Sequence, residues 1–211
     1  MTTPKPEPLI FPSGVRFARK NEMPQGNDKD LARIARANVT TGYIRNDDGG
    51  PTFSSYFEAN IHAPNVFAVF TELAESLLPD IAAPIIGLKD EEPTFGIYTD
   101  LASAIGVFRP FEDLLQNDGF LEFGITFQNN GKIEEIFVKS PKYFTIWTNQ
   151  PEIVTQVLEV AGIPKCQTLE FIDEYPMVSK SVDKMGNAVW PNVYEALKAA
   201  FGRLPIAVLD Q

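Results

Sequence analysis

The alternation of apolar and polar residues is clearest in the middle of the chain. Apolar side chains occupy every second position of residues 121–128, at Leu121, Phe123, Ile125 and Phe127. A period of two predicts a strand with one buried face. The pair Asn130-Gly131 follows and is typical of a tight hairpin turn. Residues 133–138 and 142–148 therefore predict two further strands, and Pro151 and Gly162 bracket a predicted amphipathic helix.

The rest of the chain shows the same mixture of strand and helix patterns. Strands are predicted at residues 39–45, 52–61, 83–88, 94–98 and 166–172, and residues 177–182 are predicted to pair with residues 188–190. Helices are predicted up to Ala37, from Pro64 to Leu78, from Asp100 to Val107, over residues 110–116 and from Pro191. The sequence thus predicts an α+β fold with mostly antiparallel sheet and packed helices.

Proline content separates the start of the chain from the remainder. Residues 1–28 contain five prolines, four of them within the first twelve positions, which disfavours helix and central strand. We interpret residues 1–28 as a proline-rich arm and residues 29–211 as a single α+β domain. Within this domain, residues 38–118 and 119–211 form candidate sub-lobes.

The two sub-lobes share a pattern that suggests an internal duplication. Tyr56-Phe57 precedes the helix-starting Pro64 by the same interval as Tyr143-Phe144 precedes Pro151, and the offset between the copies is 87 residues. The hypothesis is two tandem ββαβ-type pseudo-repeats. The alternative is that any hairpin followed by a helix uses tyrosine, phenylalanine and proline in these places.

Charge is distributed unevenly along the chain, whose formal net charge is −10. Residues 1–45 carry eight basic and four acidic residues, whereas residues 46–131 carry two basic and fourteen acidic residues. An acidic segment of this kind attracts a cationic partner and disfavours nucleic acid. We therefore expect a basic protein partner and an acidic binding face at Asp47, Asp48, Asp90, Glu91 and Glu92. Neutralisation of this segment by the basic first 45 residues is the competing interpretation.

Catalytic and cofactor signatures are sparse in the sequence. The chain has one histidine, His62, and one cysteine, Cys166, and neither phosphate-binding glycine motif occurs. The paired carboxylates do not follow the spacing of a calcium loop. We therefore expect no metal or cofactor, and the residues favour a non-enzymatic protein while leaving catalysis open. The absence of an apolar leader, of an apolar run of membrane-spanning length and of a second cysteine favours a cytoplasmic protein without membrane association.

Three functions are compatible with these observations. The first is a protein-binding module with an acidic face, of which an immunity-type inhibitor of a basic toxin or nuclease is the most concrete form. The second is a small-molecule-binding protein or enzyme with an aromatic pocket near His62, formed with Tyr56, Glu58, Tyr143 and Trp147. The third is a structural or assembly subunit whose N-terminal arm reaches a neighbouring molecule.

Overall fold

An eight-stranded sheet, in which all strand pairs are antiparallel, organises the fold. The structure, a computed structural model, describes residues 6–24, 27–182 and 190–207. The strands are β1 (Val15–Phe17), β2 (Gly42–Asn46), β3 (Ser55–Asn60), β4 (Ile81–Leu88), β5 (Thr94–Phe95), β6 (Thr99–Asp100), β7 (Leu121–Asn129), β8 (Lys132–Val138), β9 (Tyr143–Thr148) and β10 (Met177–Ser179). The sheet has the order β2-β3-β9-β8-β7-β4-β5, with β6 also paired to β4, while β1 and β10 form a separate two-stranded ribbon.

Helices connect and cover these strands. They are α1 (Asp28–Ile34), α2 (Val66–Leu77), α3 (Leu101–Gly106), α4 (Glu112–Asn117), α5 (Pro151–Val160) and α6 (Trp190–Phe201), with short 3-10 helices at Lys20–Glu22, Ala63–Asn65, Arg109–Phe111 and Ile172–Glu174. The predicted Asp100 cap of α3 is present, because its side chain accepts a hydrogen bond from Ser103 N at 2.9 Å. The α+β class with mostly antiparallel sheet is confirmed.

The core lies between the sheet and α2 and α5. Apolar side chains of β3, β7, β8 and β9 point to this side and are buried, among them Phe57, Phe123, Ile136 and Phe144. Phe123 packs on Phe70 of α2 with ring centroids 4.9 Å apart, and Phe108 and Phe201 extend the aromatic cluster towards α6. Because these rings are buried against one another, they contribute strongly to the hydrophobic stabilisation of the fold.

The two β-strand-to-helix units of the predicted duplication lie side by side. β3 pairs with β9 in antiparallel fashion, with Tyr56 opposite Trp147 and Asn60 opposite Tyr143. The helices that follow them, α2 and α5, pack against each other. After α2 the chain returns as β4, but after α5 residues 164–166 only flank β2, where Cys166 N donates to Tyr43 O. The duplication itself therefore stays a prediction.

Several predicted element boundaries differ from the structure. Residues 166–172 do not form the predicted strand. Residues 177–179 pair with β1 rather than with residues 188–190, of which 188 and 189 lie outside the described residues. The cause is the N-terminal arm, whose Val15–Phe17 supplies the partner strand despite its prolines. Strand β7 is also buried on both faces over residues 121–126, because it is an interior strand with side chains packed on each side.

No helix in the part of the chain that the structure describes combines the length and the apolar character that crossing a bilayer requires.

Candidate functional site

The face of the sheet opposite α2 and α5, called the far face here, carries polar and aromatic side chains in register. Tyr56, Trp147 and Glu135 lie directly opposite one another on β3, β9 and β8. Two residues further along these strands, Glu58, Thr145 and Phe137 form the next row. Tyr143 follows on β9. We call Tyr56, Glu58, Glu135, Tyr143 and Trp147 the aromatic–carboxylate patch.

Trp147 lies at the centre of the first row of this patch. Its ring centroid is 5.2 Å from that of Tyr56, with the ring planes tilted by 43°. Glu135 lies opposite Trp147 on its other side. Directly opposed residues in a sheet have their Cβ atoms about 5 Å apart, so that an aromatic pair and a carboxylate are held in one short row. All three side chains are partly exposed.

The two carboxylates of the patch are partly buried. Burial raises the pKa of Glu58, opposed by the Tyr56 hydroxyl, and the negative charges of Asp173 and Glu174 raise it further. Burial likewise raises the pKa of Glu135, opposed by the Thr126 hydroxyl and by the positive charge of Lys139. Among the described residues no ion pair within 4.0 Å involves either carboxylate. A partly buried carboxylate that forms no ion pair favours a cationic ligand.

The phenol groups of the patch remain protonated hydrogen-bonding groups. Burial raises the pKa of Tyr56, and burial together with Asp173 raises the pKa of Tyr143. The Tyr143 hydroxyl donates to Asp173 Oδ2 at 3.1 Å, and its ring lies 4.7 Å from that of Phe171. Tyr143 thus joins the patch to the segment that leads into β10.

Phe137 lies flat over two strand glycines on the same face. A Cβ atom added to Gly124 would lie 2.7 Å from Cδ2 of Phe137, and one added to Gly87 would lie 3.5 Å from its Cζ. The Lys139 ammonium lies 5.2 Å from the centroid of the Phe137 ring. The far face therefore already holds one cation over an aromatic ring close to a carboxylate.

A cleft of about 520 Å³, called the ribbon cleft here, borders the patch where the β1–β10 ribbon meets the sheet. Glu122, which is 9% exposed, lines it together with Lys139, Tyr143 and Asp173. Oε1 of Glu122 accepts a hydrogen bond from Ser140 N at 2.9 Å. The cleft thus combines a buried carboxylate with cationic and phenolic groups.

Lys142 lies close to this cleft and is almost completely buried, at 2% exposure. Its ammonium donates to Leu121 O. Burial lowers the pKa of Lys142 to about 7, while the negative charges of Asp118 and Glu122 act in the opposite direction. Asp118 is committed to the backbone, because its Oδ1 accepts from Phe120 N at 2.8 Å and its Oδ2 from Val182 N at 3.0 Å.

The acidic residues selected from the sequence lie in two separate places. Asp47 and Asp48 follow β2 at one end of the sheet, whereas residues 90–92 follow β4 at the other end. These strands are five positions apart in the sheet order, roughly 24 Å at ~4.8 Å per strand. Asp47 is also engaged within the chain, since its Oδ1 lies 2.6 Å from Arg45 Nε and accepts from Ser55 Oγ. The structure does not combine the two groups into one surface.

His62 lies apart from the other residues of the predicted aromatic pocket. Its Nδ1 accepts a hydrogen bond from Ile10 N at 3.0 Å, and its Nε2 lies 4.0 Å from Oε2 of Glu7. The imidazole thus anchors the N-terminal arm. Tyr56, Glu58, Tyr143 and Trp147, by contrast, are neighbours on the far face, as their register requires.

Cys166 shows no activation as a nucleophile. Burial raises the pKa of its thiol, and its Sγ lies 3.7 Å from Pro164 O. A thiolate nucleophile needs the opposite shift.

No group of three or more histidine, cysteine, aspartate or glutamate side chains that could hold a metal ion occurs among the described residues. Comparison with protein-family models, with curated proteins and with solved structures found no match. The function must therefore be argued from the geometry of the site.

Four polar residues of the site were not selected from the sequence: Glu122, Glu135, Lys142 and Asp173. The alternation in β8 carries a signal for Glu135, because it shares a strand face with Phe137 and Lys139. The alternation in β7 similarly places Glu122 on the face of Gly124 and Thr126. The position of Asp173 beside Tyr143 has no such signal, since it depends on the path of the segment after α5.

Proposed function

We propose that this protein is a non-enzymatic protein-binding module that receives lysine or arginine side chains of a basic partner on the aromatic–carboxylate patch. An inhibitor of a basic toxin or nuclease is one form that such a module takes. The observation that carries the proposal is the pair of partly buried carboxylates, Glu58 and Glu135, on the same face as the Tyr56–Trp147 ring pair.

The chemistry of the patch suits a cationic side chain. A lysine or arginine placed over tryptophan or tyrosine gains about 0.5–2 kcal/mol from the cation–π interaction. A neighbouring carboxylate adds a charge-assisted hydrogen bond, and partial burial strengthens both interactions. Binding would also stabilise the charged forms of Glu58 and Glu135, whose pKa values burial raises.

The intramolecular contact of Lys139 supports the proposal that the patch binds a cationic side chain. Its ammonium already lies 5.2 Å from the Phe137 ring, and its charge acts on the Glu135 carboxylate. A partner's lysine over Trp147 would repeat the same combination of ring and carboxylate one row away. Asp90 and Glu91 line the ribbon cleft beside Tyr143, and Asp47 contacts Ser55 next to Tyr56, so both acidic groups would add attraction around the patch rather than contacts within it.

Charge-matched variants test the proposal. E58Q/E135Q and D47N/D48N each remove two negative charges, but the first pair lies in the patch and the second at the β2–β3 turn. Binding of a hexalysine peptide, measured by calorimetry at low ionic strength, should weaken about tenfold in E58Q/E135Q, or about 1.4 kcal/mol. It should change less than about twofold in D47N/D48N, because Asp47 is already paired with Arg45 and exposed surface charges outside the patch contribute little.

Equal losses in the two variants would show that the peptide responds to net charge alone, and the patch would lose its role. Unchanged binding in E58Q/E135Q would have the same consequence. Circular dichroism spectra of all variants serve as the folding control.

A small molecule in the ribbon cleft is the second candidate function. It is favoured by Glu122, a carboxylate that is 9% exposed and lines the largest of the clefts described here. A ligand bound there would raise the melting temperature of the wild type but not of E122Q, since ligand binding stabilises the folded state by mass action. An unchanged melting temperature across a panel of amino acids and other zwitterionic metabolites would remove this candidate.

A further inference from the structure

A second cleft lies on the opposite side of the sheet from the aromatic–carboxylate patch. It has a volume of about 430 Å³ and lies where the end of α2 meets the start of α5 and the hairpin between β7 and β8. Leu77, Leu78, Pro79 and Phe127 form its apolar walls. Its polar lining includes Glu134 and Gln150. We call it the Glu134 cleft.

Glu134 is a buried carboxylate, and one of its two oxygens accepts no hydrogen bond from the described residues. The residue is 8% exposed, and its Oε1 accepts a hydrogen bond from Asn149 N at 3.0 Å. Oε2 is buried and has no hydrogen-bond partner among the described residues. Leaving a buried carboxylate oxygen unpaired is unfavourable, because the group has lost water without gaining a donor.

The surroundings of Oε2 favour a positively charged donor. The twelve-residue helix α2 ends at Leu77, beside the cleft, and the C-terminal end of a helix carries partial negative charge. Gln150 donates through Nε2 to Leu77 O at 3.3 Å, so its Oε1 remains an acceptor. An ammonium group supplies three donors, which matches a carboxylate oxygen and a neighbouring amide oxygen.

We infer that the Glu134 cleft binds a primary alkylammonium group, with its nitrogen at Glu134 Oε2 and its aliphatic chain against Leu77, Pro79 and Phe127. Oε2 is buried, so the ligand reaches it once the exposed flanking side chain of Lys132 turns aside. The ammonium comes either from a free diamine or from a lysine side chain of a peptide. This inference does not depend on the function proposed for the far face.

Lys132 is the competing occupant within the chain. It lines the same cleft and lies two residues before Glu134 on the same face of β8. No ion pair within 4.0 Å joins it to Glu134 in the described part of the chain. A K132M variant therefore distinguishes binding of an added ammonium compound from pairing of Glu134 with the Lys132 side chain.

Titration calorimetry with 1,5-diaminopentane and with Nα-acetyl-lysine methylamide tests the inference. We expect saturable binding of at least one of them to the wild type, weakened about tenfold in E134Q and unchanged or tighter in K132M. E134Q keeps an oxygen for Asn149 N, so its fold is preserved. E72Q, an exposed change on α2, is the matched control and should bind like the wild type. Preference for the first or the second compound identifies a diamine or a peptide lysine as the source.

Two results would overturn the inference. Absence of binding to both the wild type and K132M would show that the cleft takes no ammonium ligand. Binding to K132M alone, with equal losses of melting temperature in K132M and E134Q, would show that Lys132 is the natural partner of Glu134. The neutral analogue 1,5-pentanediol should not bind, and equal binding of it would exclude recognition by charge.

Discussion

The two faces of the eight-stranded sheet use aromatic residues in opposite ways. On the side of α2 and α5, Phe123 packs with Phe70 and Phe108, and all three rings are fully buried. On the far face, Tyr56 and Trp147 pack beside Glu58 and Glu135, which are partly buried. Both faces arise from the same strands, because successive side chains along a strand point to opposite sides of the sheet.

This difference shows how one sheet separates stability from recognition. Rings that contact only apolar groups contribute through burial, and their loss leaves a cavity. Rings next to carboxylates keep those carboxylates partly dehydrated, which raises the pKa of Glu58 and of Glu135 and prepares them for a cation. Substitutions on the helix side should therefore lower stability, whereas substitutions of the far-face carboxylates should weaken binding of a cation.

The largest effect is expected for Phe123→Ala in the core. Phe123 is fully buried among aromatic rings, so truncation removes contacts and leaves a cavity, with an expected loss of about 3–5 kcal/mol in the free energy of unfolding. Urea unfolding monitored by circular dichroism measures this loss. The matched control is Phe95→Ala, because Phe95 is 56% exposed and should change stability by less than about 1 kcal/mol. Similar losses in the two variants would refute the assignment of the core.

A smaller effect is expected for Gly124→Ala on the far face. A methyl group there would lie 2.6 Å from Ile136 O and 2.7 Å from the Phe137 ring, so both the ring and the backbone of β8 must shift. Overpacking of this kind is destabilising by about 1–3 kcal/mol. Gly106→Ala is the control, since a methyl group in α3 meets no atom within 4 Å and should stabilise the helix slightly. If Gly124→Ala were neutral in urea unfolding, β8 and Phe137 would not pack closely over Gly124.

The smallest effect on stability is a pH dependence that comes from Lys142. Its pKa is about 7 in the folded protein, where burial lowers it, against about 10.4 in the unfolded chain. Between these values the unfolded chain binds more protons, so the free energy of unfolding rises with pH. Relative to Lys142→Met, the wild type should gain about 1 kcal/mol between pH 7 and pH 8. A difference that stays constant with pH would show that Lys142 does not titrate there.

The sequence predicted the scaffold better than the site. Strands with a period of two and helices bounded by Pro151 or by Pro79 depend on local physics, and they were predicted close to their observed positions. Tyr56, Glu58, Tyr143 and Trp147 were selected together with His62 because aromatic residues are dense at two equivalent strand ends, and the structure places these four on one face. Pairings between distant segments could not be predicted, because the sequence carries no register for them. The strand partner of Met177–Ser179 is Val15–Phe17, which lies far away in the chain.

The positions of the acidic residues and of His62 also depend on which distant segments of the chain become neighbours. Charge counts along a chain do not say which strands become neighbours, and the two acidic groups lie at opposite ends of the sheet. His62 follows β3 as predicted, but the N-terminal arm occupies its Nδ1 through Ile10. The cleft residues Glu122 and Asp173 meet only because the segment before β10 returns over the sheet.

The environment of Trp147 during titration with a basic peptide tests the role of the patch most directly. In a W190F background Trp147 is the single tryptophan, so its emission reports on the patch alone. Hexalysine should produce a saturable change in this emission that is lost in E58Q/E135Q and retained in D47N/D48N. An emission spectrum that stays constant up to saturating peptide, or that changes equally in both charge variants, would contradict cation binding at the aromatic–carboxylate patch.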